Sequence, residues 1–297
     1  MLTLDCVSCA APFRATHRRR KYCSRGCANT ATGSRLEARA GSDHGRAVVW
    51  SCGGGVDSTA IAVLICQGRL PKPDYAIMVD VGYEPETTWT YARTVLTPRL
   101  AAVGVALMIL RTRDYTDNDI VKQGHLVIPA HRRNTDGTTT KLHTHCSGPW
   151  KAHVAKRWLR AQGVRACEQW IGIAADETRR AVADRHKWVK LRWPLIELGM
   201  TRADCIYLIG TAGWPLPDRT SCWMCPQRSI GDWRRLVARS PEDFERAIRL
   251  ERAIQAEFPN VYLHHSCEPI EVAVNGCVQP MGREGASQCA SSFSACM

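Results

Sequence analysis

The chain has 297 residues, of which 45% are hydrophobic and 23% charged, with a net charge of +12 and 15 cysteines. This suits one sizeable soluble α/β domain with a small module attached. No stretch approaches the ~18 apolar residues of a membrane span, and the opening MLTLDCVSCA has no basic segment leading into an apolar one, so neither a membrane protein nor a secreted one is expected. The cytoplasm is the expected location. Cysteines gathered in clusters there read as metal ligands or chemical groups rather than as disulfides. The positive balance favours polyanionic partners, nucleic acid or nucleotide phosphates, and reads equally well as a solvated basic surface.

Residues 1–29 carry Cys6, Cys9, Cys23 and Cys27 in a C-x2-C…C-x3-C arrangement, with Arg18, Arg19, Arg20 and Lys21 between the pairs. A segment this short cannot bury a core of its own, so a four-cysteine zinc finger is expected, its folding supplied by Zn²⁺. Its basic knuckle suits a phosphate backbone, and a structural or protein-docking finger is the alternative. Residues 30–45 are rich in Gly, Ser, Ala and Arg and read as a linker.

Strands and helices then alternate. RAVVWS (46–51) predicts a strand, 56–67 a helix, 74–80 a strand, 85–103 a helix and 105–110 a strand. Residues 111–145 read as irregular, 149–162 as a basic helix and 168–173 as a strand. This order predicts a doubly wound parallel sheet over 46–195. Residues 196–276 read as a helical, cysteine-bearing lobe, and 277–297 as a flexible tail. Cys52, Cys66, Cys167 and Cys205 lie in apolar or helical contexts and read as small core residues.

The segment VVWSCGGGVDSTAIAVL runs strand, glycine loop, helix. Glycines let backbone N–H groups turn onto phosphate oxygens, and the helix start adds its positive dipole. Asp57 and Ser58 fall where they can cap the helix and meet Mg²⁺ or phosphate. The loop is neither G-x-x-x-x-G-K-[ST] nor G-x-G-x-x-G. Asp80 ends the second strand, where open α/β sheets bind ligands. Lys151, Lys156 and Arg157 share a helix and read as a phosphate clamp or as a solvated basic face. Arg179 and Arg180 follow a strand end and suit phosphate or the adjacent acids. Cys222-x-x-Cys225 has metal-ligand spacing; an iron–sulfur cluster, zinc, a redox disulfide and a buried pair without metal all remain open.

The glycine loop resembles the S-G-G-x-D-S pyrophosphate loop of the ATP pyrophosphatases, with Gly54, Gly55, Asp57 and Ser58 matching. Gly53 stands where that family has serine and Val56 where lysine is frequent. Later motifs, in order, resemble the phosphoadenosine-phosphosulfate (PAPS) reductase family with its DNA-phosphorothioation and phage-encoded relatives. These are VDVGYEPETTWTY (79–91), HCSGPWKAHVAKRWL (145–159), IGIAADETRR (171–180) and PLIELGMTRADC through TSCWMCP (194–226). The resemblance spans about residues 46–270. It implies an adenine nucleotide α-hydrolase-like fold that binds ATP with Mg²⁺ through Ser51, Gly53, Gly54, Gly55, Asp57, Ser58, Thr59, Asp80, Lys151, Arg179 and Arg180, with Asp57, Ser58 and Asp80 at the chemistry. It also implies a [4Fe–4S] cluster on Cys146, Cys222 and Cys225, with Cys267 or Cys205 as candidates for a fourth ligand. The implied activity is adenylylation of an acceptor, tRNA, DNA or a small molecule, for sulfur transfer, with a cysteine desulfurase or other sulfur donor as partner. The alternatives are a sulfonucleotide reductase and a nucleotide-sensing zinc-finger DNA-binding protein. The reductase branch usually ends in E-C-G-L-H, whereas this chain ends in SFSACM.

Overall fold

The computed structural model describes residues 2–6, 11–15, 23, 45–182 and 186–275. Near the N-terminus, β1 (Leu2–Asp5) and β2 (Pro12–Ala15) pair antiparallel, with Leu2 opposite Ala15. Cys6 and Cys23 fall within the described residues, whereas the expected ligands Cys9 and Cys27 lie outside them, as do residues 30–44 of the expected linker and the expected tail.

The sheet is five-stranded and wholly parallel, built from β3 (Ala47–Ser51), β4 (Tyr75–Asp80), β5 (Leu107–Arg111), β10 (Cys167–Ile171) and β11 (Val189–Arg192). Its order is β11-β10-β3-β4-β5, so the chain starts in the middle, builds one way and returns to build the other. The reversal lies between β3 and β10, the place where such sheets open a crevice beyond their carboxyl ends. Val49 and Trp50 on β3 are completely buried, as a strand covered on both faces requires.

Helix α1 (Val56–Cys66) leaves β3. Val56 through Ile65 are all buried, so it is a central helix rather than an amphipathic surface one. The helical run continues with α2 (Glu86–Tyr91), a π-helical turn (Ala92–Leu96) and α3 (Thr97–Ala102). After a π-helical turn at Gly148–Ala152, α4 (His153–Ala161) covers the opposite sheet face, placing Val154, Ala155 and Leu159 against Val49 and Ile77. Helices α5 (Pro194–Glu197) and α6 (Arg202–Thr211) complete the first layer, with Leu195, Cys205 and Ile209 in the same apolar cluster as Ile61 and Leu64. A capping box joins Thr201 and Asp204 and fixes the start of α6.

A second core gathers Ile120, Leu126, Ile128 and Trp150 with Trp223, Trp233, Phe244 and Ile254. It joins the segment after β5 to α7 (Ile230–Arg239), α8 (Pro241–Glu257) and α9 (Ile270–Asn275). The stretch 111–145, expected to be irregular, contains the hairpins β6 (Val121–Lys122) with β7 (His125–Leu126) and β8 (His131–Arg133) with β9 (Thr139–Lys141). β8 also pairs with β12 (Val261–Tyr262), which stitches this stretch to the C-terminal helices. Two- and three-residue strands are too short to show alternation, so the sequence pattern does not announce them. β11 is likewise short and basic, and its edge position gives it little apolar signal.

Candidate nucleotide and thiol sites

The turn from β3 to α1 is Cys52–Gly55. Gly54 has φ of +73°, and a Cβ there would stand 3.1 Å from Met78 Cε. At Gly55 a Cβ would meet Thr220 Oγ1 at 2.8 Å. Both positions therefore demand glycine, one for its backbone angle and the other for close approach. The Gly53 N–H donates to Ser58 Oγ at 2.8 Å, closing the turn. No side chain caps α1. Its first-turn N–H groups therefore lack intrahelical acceptors, and with the helix dipole they favour an anion.

These groups open onto a cavity of about 500 Å³, lined by Gly53, Gly55, Asp57 and Ser58 from the loop, Gly172 after β10, and Arg180, Arg202, Arg219 and Ser221 around the mouth. The cavity sits at the reversal point of the sheet. Gly172 makes this possible, because a Cβ there would lie 3.1 Å from the Asp57 carbonyl carbon and the Ser58 nitrogen. Every arginine of the wall has a carboxylate partner. Arg202 meets Asp57 at 2.8 Å, Arg219 meets Asp232 at 2.9 Å, and Arg180 pairs with Glu177. Ser221 Oγ is buried and has no hydrogen-bond partner among the described residues. Asp57, Glu177 and Asp218 also line the cavity, each paired with an arginine.

The other expected nucleotide ligands are dispersed. Ser51 Oγ accepts from Gln169 Nε2 at 2.7 Å, tying β3 to β10, and Thr59 is fully buried behind the loop; neither lines the cavity. Arg180 lines it and Arg179 does not. Lys151 stands instead on Glu84, Nζ to Oε1 at 3.1 Å, beside the thiols. Asp80 accepts the Gly82 N–H at 2.7 Å and lines a second opening of about 330 Å³ with Arg111, Arg113 and Asn118.

Cys146, Cys222 and Cys225 lie within electrostatic reach of one another. Burial pushes the Cys222 thiol up to about 12, although the nearby Lys151 ammonium opposes this. Burial likewise raises Cys146, with the Cys225 charge adding. The Cys225 N–H closes a turn on the Cys222 carbonyl at 3.0 Å, and Arg228 Nε donates to the same carbonyl at 3.1 Å. Tyr83 packs on Trp150 and Trp223 nearby, at ring separations of 5.6 and 5.7 Å. Three thiols with two cations in an apolar setting suit a thiolate-bound metal centre in donor chemistry. Among the described residues no group of three or more His, Cys, Asp or Glu side chains is already arranged to hold a metal ion. Cys267 is buried, and its carbonyl accepts from Arg133. Cys205 lies in the first core near Asp57, its thiol pushed up to about 12 by burial. Cys52 is buried to the same effect and is a packing residue.

Arg202, Arg219, Gly172 and Glu84 are not singled out by the sequence. Arg202 lies inside the T-R-x-D motif, 145 residues from Asp57. Only the packing of α6 on α1 brings the two together.

No family model matches the chain, and no curated protein matches it. Among solved structures it is similar to a U34-tRNA thiolase, NcsA, from Methanococcus maripaludis, determined with its [4Fe–4S] cluster (17% identity, 86% of this chain and 88% of that one, TM-score 0.45). It is also similar to a PAPS reductase from Candida auris in complex with phosphate (13% identity, 71% and 98%, TM-score 0.45). A third is an NMN synthetase from Francisella tularensis (12% identity, 65% and 72%, TM-score 0.39). With TM-scores of 0.45 and below, what this chain does has to be read from its own side chains.

Proposed function

We propose that this chain is an ATP-dependent enzyme that cleaves the α–β phosphoanhydride and transfers AMP to an acceptor for sulfur transfer. The observation that carries this reading is the uncapped start of α1, which opens through Gly53–Gly55 onto a cavity ringed by arginines. The acceptor oxygen attacks the α-phosphorus and gives up its proton. The α–β P–O bond breaks, and pyrophosphate leaves with the bonding electrons. The first-turn N–H groups and the Ser58 region hold the leaving group, and stabilising its charge lowers the barrier. Asp57 would hold the Mg²⁺ that accompanies the phosphates.

Sulfur transfer is assigned to the thiol trio. Cys146, Cys222 and Cys225 would hold a [4Fe–4S] cluster, which would supply sulfide sulfur as a nucleophile. Lys151 and Arg228 offset the negative charge of the thiolates, and Trp150 and Trp223 keep water from this face. The carbon–oxygen bond to the adenylate then breaks and AMP departs. The acceptor is taken to be a nucleic acid, tRNA before DNA, with its phosphates meeting Arg111 and Arg113 at the second opening. Zn²⁺ belongs to the N-terminal cysteines, and the sulfur would be restored by a donor of sulfide, or by a cysteine desulfurase persulfide together with a two-electron thiol reductant. ATP labelled at the α-phosphorus tests the first half. Label should pass to the acceptor and to AMP in the wild-type chain and in neither with Asp57→Ala.

A further inference from the structure

We infer that Arg202 is the mobile cation of the pyrophosphate cradle, held on Asp57 when the site is empty and transferred to the phosphates when nucleotide enters. This deepens the reading above and rests on it. From Ser51 to Thr59 the loop has no basic side chain of its own, and Val56, at the helix start, is 7% exposed in the core. A polyanion seated there needs its charge met from outside the loop. Arg202 is the arginine of the wall whose carboxylate partner belongs to the loop itself, NH1 to Asp57 Oδ1 at 2.8 Å. Arg219 is committed to an almost wholly buried Asp232, and Arg180 to Glu177 within its own turn.

The two halves of Arg202 are held differently. Its backbone is fixed at the start of α6, where the N–H donates to Asp176 Oδ1 at 3.0 Å and the preceding Thr201 closes the capping box. Its side chain is 47% exposed and rests on Asp57 through one guanidinium nitrogen. Asp57 itself is 8% exposed, so what leaves the pair open to exchange is its single contact and the exposed guanidinium, whereas a guanidinium on phosphate forms a charge-assisted fork. The anchored base and loosely held head allow an exchange of partners without movement of the helix. While the site is empty, Arg202 also neutralises Asp57, which lies at the loop and would otherwise repel the incoming phosphates. Once Arg202 moves, the Asp57 carboxylate is left facing the cation that travels with the nucleotide.

Titration calorimetry on the full chain, with magnesium-free pyrophosphate, ATP and adenosine as the probes, tests this. Arg202→Met should weaken pyrophosphate and ATP about 10- to 100-fold, the worth of one charge-assisted contact, and leave adenosine unchanged. Arg202→Lys should recover part of the loss. Asp57→Asn breaks the same ion pair from the other side but keeps the guanidinium, so it should bind magnesium-free pyrophosphate more tightly than wild type. A merely structural ion pair would make Arg202→Met and Asp57→Asn behave alike, and that result overturns the inference. So does Arg202→Met with wild-type pyrophosphate affinity, which leaves the pyrophosphate-loop reading standing. A wild-type chain that binds neither pyrophosphate nor ATP removes both.

Discussion

Gly172 lies so close to Asp57 that a methyl group on its α-carbon would stand 3.1 Å from the Asp57 carbonyl carbon and 3.3 Å from its Cβ. The end of β10 thus supports the first turn of α1 from behind, and the loop keeps its shape because nothing projects from residue 172. Gly172→Ala should push that turn into the cavity at a cost of about 1–3 kcal/mol, the usual penalty of overpacking. Nucleotide affinity should fall more than thermal stability does. A variant with wild-type ATP affinity would mean that the turn yields freely and that its position is not critical.

Gly54→Val and Asp57→Ala act on the cradle directly. At Gly54 the positive φ and the 3.1 Å approach of Met78 both oppose a side chain. Loss of aligned charge stabilisation for the leaving group should reduce turnover by about 10²-fold or more. Circular dichroism should show that the sheet survives, since the loop carries little of the core. Wild-type turnover in Asp57→Ala would take the loop out of the chemistry.

The thiol trio predicts a spectroscopic phenotype separate from nucleotide binding. Serine at Cys146, Cys222 or Cys225 should remove iron and visible absorption from anaerobically purified protein while ATP still binds. Cys267→Ser distinguishes ligand sets: with three ligands it keeps its iron, and with four it loses it. Full iron content in Cys146→Ser would reduce the site to the Cys222/Cys225 pair with other partners.

The histidines of the second core predict a pH dependence of stability. His264 is 2% exposed and its ring lies 4.1 Å from that of His265, which in turn faces His131 at 6.3 Å. Burial, and then the neighbouring imidazoles, lower its pKa to about 4. The folded chain therefore binds fewer protons than the unfolded one between pH 4 and pH 6.5. The contribution is fully present above about 6.5 and is lost as pH falls toward 4, at most about 3 kcal/mol. Burial lowers His131 as well, in the same direction. The thermal midpoint followed from pH 7 to pH 4.5 should fall less steeply in His264→Leu than in wild type. An unchanged slope would place the acid sensitivity elsewhere.

The second opening offers a test of the acceptor. Arg111 and Arg113 make no side-chain hydrogen bond or ion pair among the described residues and line it with Asp80. Replacing both with Gln should weaken RNA binding and reduce its salt slope by about 0.7–0.9 for each lost phosphate contact. Identical salt dependence would mean that the acceptor approaches over another face.

The strand–loop–helix at 46–67 was legible in the sequence because a buried strand, three glycines and a buried helix are contiguous. The same holds for Cys222 and Cys225, whose spacing is local. Cys146 was legible only through the order of motifs. What escaped was long-range. Arg202 reaches Asp57 because two helices pack side by side, and no spacing in the chain encodes that contact. Lys151 reads as a phosphate ligand because it is basic and helical, yet the buried Glu84 carboxylate holds it beside the thiols. The short strands of 111–145 escaped because their partners, not their own residues, make them strands.

The most direct test of the central claim is the identity of the phosphorus products when the full chain is incubated with ATP, Mg²⁺ and an RNA acceptor. Cleavage at the α-phosphorus predicts pyrophosphate released in equal amount to AMP and AMP-linked acceptor combined, with no ADP. ADP with orthophosphate, or no cleavage at all, would contradict it.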